Sequence, residues 1–224
     1  LKKINVAIDG PAGAGKSTIA RLVAKELGYI YVDTGAMYRA ITLNFIRRNV
    51  DITDSKEMVR VIRETDIKLI PTMNGQYVYL NDEDVTTEIR SMKVTELVAR
   101  TSTISEIRKF LVHLQQKTAK LKGIVMDGRD IGTQVIPDAE VKIFLTASVR
   151  VRAQRRFLEL KEMETSLTIE ELMESIERRD RQDIDRSISP LTKADDALLI
   201  DSSDMTTEQV TQMIIRLCRA QLEE

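Results

Sequence analysis

The chain is poor in the residues that cross-link a protein or carry common catalytic chemistry: of 224 residues one is cysteine, one is histidine and none is tryptophan. The single thiol, Cys218, excludes an intrachain disulfide, and its place in an apolar helical pattern reads as a buried thiol suited to a reducing compartment. No apolar run approaches the roughly 20 residues that span a bilayer, and the N-terminal residues enter a strand at once instead of a charged and apolar leader. A soluble, unprocessed, cytoplasmic protein is the expectation. Neither charge sign is in surplus: 34 basic and 35 acidic residues leave a formal net charge of -1. Nonspecific nucleic-acid binding needs a basic excess that is missing here, so neither nucleic acid nor membrane is an expected partner, and any anion site must be local. The lone His113 lies in a helical stretch, 104–122, and reads as a partly exposed helix residue, not a catalyst.

What is present is material for one α/β domain, with 42% hydrophobic residues. Residues 4–9, INVAID, form a short apolar run that stops at glycine and proline, as a buried parallel strand does. A helix follows, with Ile19, Leu22, Val23 and Leu27 on one face and Gly28 as its stop. A second strand over 29–32 runs into a helical pattern from about Ala36 to Arg48. GIVMD at 123–127, VKIFLT at 141–146 and ALLID at 197–201 read as three further buried strands. The last helix carries Val210, Met213, Ile214, Leu217 and Cys218 on one face, behind a Thr206–Gln209 capping box. Strands alternating with helices imply a five-stranded parallel sheet covered on both faces.

Two stretches break this rhythm. Residues 66–89 carry IKLI, QYVYL and DVTTEI around Asn74-Gly75, a hairpin signal, and predict a small antiparallel sheet outside the main one. Residues 148–187 are long, charged and helical, with a capping box at Thr168–Glu171.

GPAGAGKS at 10–17 satisfies GxxxxGK[ST] in full. Glycines let backbone N–H groups wrap a phosphate chain, the following helix points its positive end at it, Lys16 reaches the terminal phosphates and Ser17 can hold Mg²⁺. The motif sits between a predicted strand and an amphipathic helix, which is the context the mechanism requires. Nucleotide contacts are therefore expected along Gly10, Pro11, Ala12, Gly13, Ala14, Gly15, Lys16, Ser17 and Thr18.

Asp33-Thr34-Gly35 resembles the way an aspartic protease presents a carboxylate. That chemistry needs two carboxylates sharing a proton, and the single copy here lies in an α/β frame. The triplet instead ends the second strand, at the carboxyl edge where such sheets bind ligands, so that Thr34 and Arg39 face a substrate near the phosphate loop. TKAD at 192–195 resembles the guanine-reading motif of GTPases. It follows the polar, proline-broken SISPL instead of a strand, and neither DxxG nor an LSGGQ signature accompanies it.

IERRDRQDIDR at 176–186 alternates arginine and aspartate, and helical spacing puts Arg179, Asp183 and Arg186 on one face. Such a face reads either as a solvated salt-bridge ladder or as an anion site. DGRDIG at 127–132 favours the site, because Arg129 and Asp130 follow a buried strand at the sheet's carboxyl edge, where unpaired charge is costly unless it meets a ligand. Asp127 is open to two roles, ordering the phosphate loop or a Mg²⁺-bound water, and either aspartate can also cap the turn. Arg39, Arg108, Arg129, Arg179 and Arg186 together point to two phosphate-bearing substrates.

IDGPAGAGKS, DTGAMYR, DGRDIGT, IPDA, VKIFL, RRDRQDIDR and SPLTKADDAL occur in an order and spacing that resemble the bacterial cytidylate kinases, of the nucleoside monophosphate kinase superfamily, over nearly the whole chain. The resemblance implies a P-loop nucleoside monophosphate kinase fold in a single unit: a core of 1–34, 104–147 and 188–224, a monophosphate-binding insertion of 35–103 bearing the antiparallel sheet, and a helical lid of 148–187 that closes over ATP. It implies transfer of the γ-phosphoryl of ATP to CMP or dCMP with Mg²⁺. Arg39, Arg129 and Arg186 would bind the acceptor phosphate, Arg179 and Asp183 the sugar hydroxyl, and Arg108 and Asp130 the cytosine; Lys16, Arg129, Arg179 and Arg186 would stabilise the transferring group. Thr34 stands where the family often has serine. Ala99 stands where it often has a base-contacting hydroxyl, for which Ser102 is the nearest substitute. Arg155 and Arg156 either assist in the lid or line a helix surface. A monomer is expected. The same parts could serve UMP or another small acceptor, or a nucleotide-dependent switch.

Overall fold

In the computed structural model, which describes residues 2–72, 75–161 and 167–223, the chain opens with strand β1, Asn5–Asp9, and helix α1, Lys16–Leu27. Between them the backbone turns so tightly that Gly10, at φ 149°, has no room for a side chain: a Cβ there would lie 1.9 Å from the carbonyl oxygen of Leu145. Strand β2, Ile30–Asp33, runs directly into α2, Thr34–Arg47. That helix begins earlier than the apolar pattern predicts because the Asp33 carboxylate caps it, accepting from the Ala36 N–H at 3.0 Å. Helix α3, Ser55–Arg63, follows.

The insertion then forms the predicted antiparallel sheet from β3, Ile67–Thr72, β4, Gly75–Leu80, and β5, Glu83–Asp84. Asn74 of the expected hairpin turn lies outside the described residues, though Thr72 and Gly75 stand opposite each other in the ladder. DVTTEI is not a third strand of any length. A second turn at Asn81 and Asp82, with φ of 50° and 67°, ends β4, and only Glu83 and Asp84 pair before the chain leaves in a 3₁₀ turn at Glu88–Arg90. Two positive φ values in succession are the type I′ geometry that asparagine and aspartate tolerate.

Helices α4, Met92–Thr101, and α5, Ser105–Ala119, return the chain to the sheet at β6, Ile124–Gly128. A single π-helical turn, Ile131–Val135, leads to β7, Val141–Thr146. Helix α6, Val149–Lys161, and α7, Ile169–Asp185, form the charged hairpin, with the Thr168–Glu171 capping box present as expected. Strand β8, Leu198–Asp201, and α8, Thr207–Glu223, complete the chain; Thr206 and Gln209 cap α8 reciprocally.

The five parallel strands lie in the order β2-β6-β1-β7-β8. Central β1 is buried at all its positions, as a strand covered on both faces must be. Its alternation decides the cores: Val6 and Ile8 join Ile19, Val23, Ile143 and Ile214 under α1 and α8, while Ala7 joins Val32, Met126, Ile131 and Val135 on the other face. The insertion has its own core, where Met37, Ile41 and Phe45 of α2 meet Ile62, Val78, Leu80 and Leu111. Register aligns the strand ends, pairing Asp9 with Gly128 and Asp33 with Asp127. Three strands therefore deliver aspartates to one edge of the sheet.

Candidate active site

At that edge the phosphate loop is closed by its own side chains. Lys16 Nζ crosses the loop to donate to the Pro11 carbonyl at 2.7 Å. Ser17 Oγ donates to Asp127 Oδ2 at 2.8 Å, and the Tyr31 hydroxyl donates to Asp127 Oδ1 at 2.9 Å. The Asp127 carboxyl is pushed up to about 6, first by burial and next by the charge of Asp33. Burial, reinforced by the charge of Arg129, pulls the Lys16 ammonium down to about 7. A cation and an anion, both costly where they stand, face the same small space.

Asp9, one residue before the loop, accepts from the Ile131 and Gly132 N–H groups at 2.8 and 2.7 Å. It thereby holds the backbone that follows Asp130. Gly128 lets β6 approach α2: a Cβ there would stand 2.7 Å from Thr34 Oγ1 and 2.6 Å from Ile131 Cδ1. Thr34 itself donates to the Asp127 carbonyl at 2.7 Å. Its proton is spent on the frame, so what it offers a ligand is the oxygen's remaining lone pair.

The predicted arginines converge. Arg129 Nε donates to Asp183 Oδ2 at 2.8 Å, with Arg179 Nε 3.4 Å from the same oxygen and Arg186 Nη1 3.8 Å from the other. Burial opposes ionisation of Asp183, yet these guanidinium groups outweigh it and hold the carboxyl below its usual range. Arg108 pairs with Asp130 in the interior, donates to the Ser102 carbonyl at 2.9 Å and lies over the Tyr38 ring, 5.4 Å from its centroid. Arg186 Nη2 lies 3.9 Å from Asp130 Oδ1. The helix face of Arg179, Asp183 and Arg186 is therefore no solvated ladder: the side chains of Asp183 and Arg186 are 4% and 5% exposed.

Arg39 stands at the margin, donating to Thr95 Oγ1 at 2.9 Å and to the Ile89 carbonyl. Burial and the charge of Arg90 lower its basicity; burial and the charge of Arg108 do the same for Arg186. Ser102 does not replace the hydroxyl absent at Ala99, because its Oγ donates to the Ala99 carbonyl at 3.1 Å. Arg156 pairs with Glu159 on the surface, whereas Arg155 donates to the Ala14 carbonyl and to Ser202. His113 is exposed on α5 and belongs to none of this.

Sequence reading missed three members of the site. Tyr38 reaches it with a buried hydroxyl that has no hydrogen-bond partner among the described residues; its place in DTGAMYR, one residue before Arg39, was the available signal. Asp9 and Tyr31 looked like strand residues, and only strand register reveals what they hold.

Four arginines, Arg108, Arg129, Arg179 and Arg186, thus surround two carboxylates, Asp130 and Asp183, beside a loop built for phosphate, with Arg39 at the margin. Arg108 and Arg186 are buried, Arg129 and Arg179 half-buried, and a cationic excess in such surroundings is costly unless anions supply the balance. The donor set at Ser17 and Asp127 is all oxygen, a hard pair of the sort that holds Mg²⁺ together with substrate phosphates and water.

A model of the cytidylate kinase family matches residues 6–220. The cytidylate kinase of Caldicellulosiruptor bescii is 49% identical over 217 residues, covering 97% of this chain and 96% of the relative. That of Bacillus subtilis is 48% identical over 214 residues, covering 96% of each. Among solved structures, the shikimate kinase from Bacteroides thetaiotaomicron aligns over 100% of both chains with a TM-score of 0.51 at 13% identity, a likeness of fold alone.

Proposed function

The chain belongs to the cytidylate kinase family, and on that premise we propose how its residues divide the transfer of the γ-phosphoryl of ATP to CMP or dCMP. The observation that carries the reading is the cationic excess of Arg108, Arg129, Arg179 and Arg186 around Asp130 and Asp183, next to a complete phosphate loop.

The loop backbone from Gly10 to Thr18 takes the donor phosphates, with Lys16 exchanging the Pro11 carbonyl for them. Ser17, with Asp127 beside it, would hold Mg²⁺, which would neutralise phosphate charge. Arg39, Arg129 and Arg186 take the acceptor phosphate, while Arg179 and Asp183 set the sugar. Asp130 accepts from the cytosine amino group and Arg108 donates to N3 or O2. Uracil would turn its O4 toward the carboxylate, acceptor against acceptor.

No general base is needed. A phosphate monoester has its second pKa near 6, so the acceptor is already largely an anionic nucleophile at neutral pH. Catalysis is then positioning and charge stabilisation of a loose transition state by Lys16, Arg129, Arg179 and Arg186, each arginine of this kind being worth roughly 10³ or more in rate. The division of the chain follows the roles: a core of 1–34, 104–147 and 188–224, an acceptor-binding insertion of 35–103, and a lid of 148–187 that excludes water. The proposal carries with it a cytoplasmic monomer without nucleic-acid or membrane partners; among the described residues no helix is long and apolar enough to cross a membrane.

The test is ADP production from ATP and Mg²⁺ with CMP, dCMP, UMP, AMP or no acceptor. Strong stimulation by CMP and dCMP over the others is expected. Turnover indifferent to every monophosphate would overturn the reading in favour of a nucleotide-dependent switch.

A further inference from the structure

Arg152, in the first turn of α6, is 4% exposed, and its guanidinium serves three places at once. Nε donates to the Ala147 carbonyl at 2.8 Å and Nη1 to the Ala12 carbonyl of the phosphate loop at 2.9 Å. Nη2 lies 2.7 Å from Asp180 Oδ2 on α7. The loop packs on this residue as well: a Cβ on Gly13 would stand 3.3 Å from Arg152 Cβ. Asp180 Oδ1 is buried without a hydrogen-bond partner among the described residues, which leaves Arg152 as the contact that compensates this carboxylate. Breaking such a pair is costly because the remaining charge stays buried.

The position of Asp180 gives the pair its consequence. It lies beside Arg179 and three residues before Asp183, on the last turns of α7 that also lead to Arg186. One side chain therefore bridges the loop assigned to the donor and the helix end assigned to the acceptor, through rigid elements and charge-assisted hydrogen bonds. Along the sheet edge the phosphate loop meets β6 through Ser17 and Asp127, and Asp9 holds the backbone after β6, but neither contact reaches α7.

We propose that Arg152 and Asp180 are positioning residues that couple the two substrate sites, so that donor phosphates on the Ala12 loop set the end of α7 in the geometry that holds the acceptor. The inference rests on the phosphotransfer reading above. It differs from a general lid closure by naming one ion pair as the connection.

The experiment compares CMP affinity, measured by calorimetry, without and with a saturating β,γ-imido analogue of ATP and Mg²⁺, in wild type, Asp180→Asn and Arg152→Lys. Wild type should bind CMP more tightly with the analogue present, by a factor within the 5- to 150-fold of typical couplings. In Asp180→Asn that gain should fall by about threefold or more, while affinity for CMP alone changes little. Arg152→Lys keeps a charge yet cannot reach three partners, and should lose the same gain; it serves if Asp180→Asn fails to fold. Absence of coupling in wild type overturns the proposal. So does retention of full coupling in both variants, or an equal loss of CMP affinity with and without the analogue, which is what a packing defect would produce. Failure of CMP to stimulate ADP formation by wild type would instead strike the kinase reading itself.

Discussion

Ser17 and Asp127 meet at 2.8 Å, hydroxyl to carboxylate, and so join the end of the phosphate loop to the end of β6. The contact places two hard oxygen donors from neighbouring elements side by side, with Tyr31 fixing the carboxylate from behind. Asp127→Asn keeps the shape and halves the donor strength. Its Mg²⁺ requirement for CMP-stimulated turnover should rise, and kcat at ordinary Mg²⁺ should fall by about 10² or more, the scale of losing one electrostatic partner. A Mg²⁺ titration at fixed ATP checks this; an unshifted titration would confine Asp127 to holding the loop.

Asp130→Asn replaces an acceptor-only group with one that can also donate. The preference for CMP over UMP in kcat/KM should drop by about 10² or more, because a site built around a buried hydrogen bond discriminates strongly while it is intact. Arg108 and Arg186 lose a counter-charge at the same time, so unfolding free energy should fall by about 3 kcal/mol, the scale of a broken buried pair. The ratio of the two substrates, not either rate alone, reports the base contact.

Asp9 makes stability depend on acid in an unusual direction. Burial pushes its carboxyl from 3.8 up to about 6, although the Ile131 and Gly132 N–H groups favour the anion. Between those values the folded chain holds a proton that the unfolded chain has released. Its contribution is therefore full below pH 3.8 and is lost as the pH rises through about 6. The difference in unfolding free energy, wild type minus Asp9→Asn, should decline by roughly 3 kcal/mol across that window, at about 1.4 kcal/mol per unit. Urea unfolding at a series of pH values would reveal it, and a level difference would mean that the carboxylate is ionised throughout.

Lys16 predicts proton uptake on nucleotide binding. With its ammonium held down to about 7 by burial and by Arg129, the side chain is largely neutral at about pH 8 and largely charged at about pH 6. Donor phosphates restore the charge. ATP binding should therefore take up close to one proton at the higher pH and markedly fewer at the lower, an excess missing from Lys16→Arg. Calorimetry in two buffers of different ionisation enthalpy measures the number directly.

Much of the fold could be read along the chain because it depends on local rules. A continuous apolar run at Val6, Ala7 and Ile8, bounded by glycine, makes a strand buried on both faces; Thr168 with Glu171, and Thr206 with Gln209, start helices wherever they occur. The four-residue spacing that puts Arg179 and Asp183 together is likewise a property of any helix, and Arg186 joins them from the cap that ends α7. The third strand of the insertion is present but only two residues long, Glu83–Asp84. Asn81-Asp82 is itself a turn signal that returns the chain alongside β4, and DVTTEI then leaves the ladder for the 3₁₀ turn at Glu88–Arg90.

What escaped was contact between residues far apart in sequence. Arg152 lies among Arg150, Arg155 and Arg156 in a charged helix, and composition cannot distinguish the one that is buried on Ala12 and Asp180 from the one that pairs with Glu159 at the surface. Ser102 carries a hydroxyl in the right neighbourhood, yet helical geometry gives its proton to Ala99.

A phosphate loop, a parallel sheet to carry it and a helix face of alternating charge follow from spacing along single elements and are legible in the chain alone. Which charges are buried, and against what, depends on contacts between elements far apart in the chain. Strand register and helix packing set those distances, and the worth of a charge turns on its neighbours and on water, neither of which is written in any single segment.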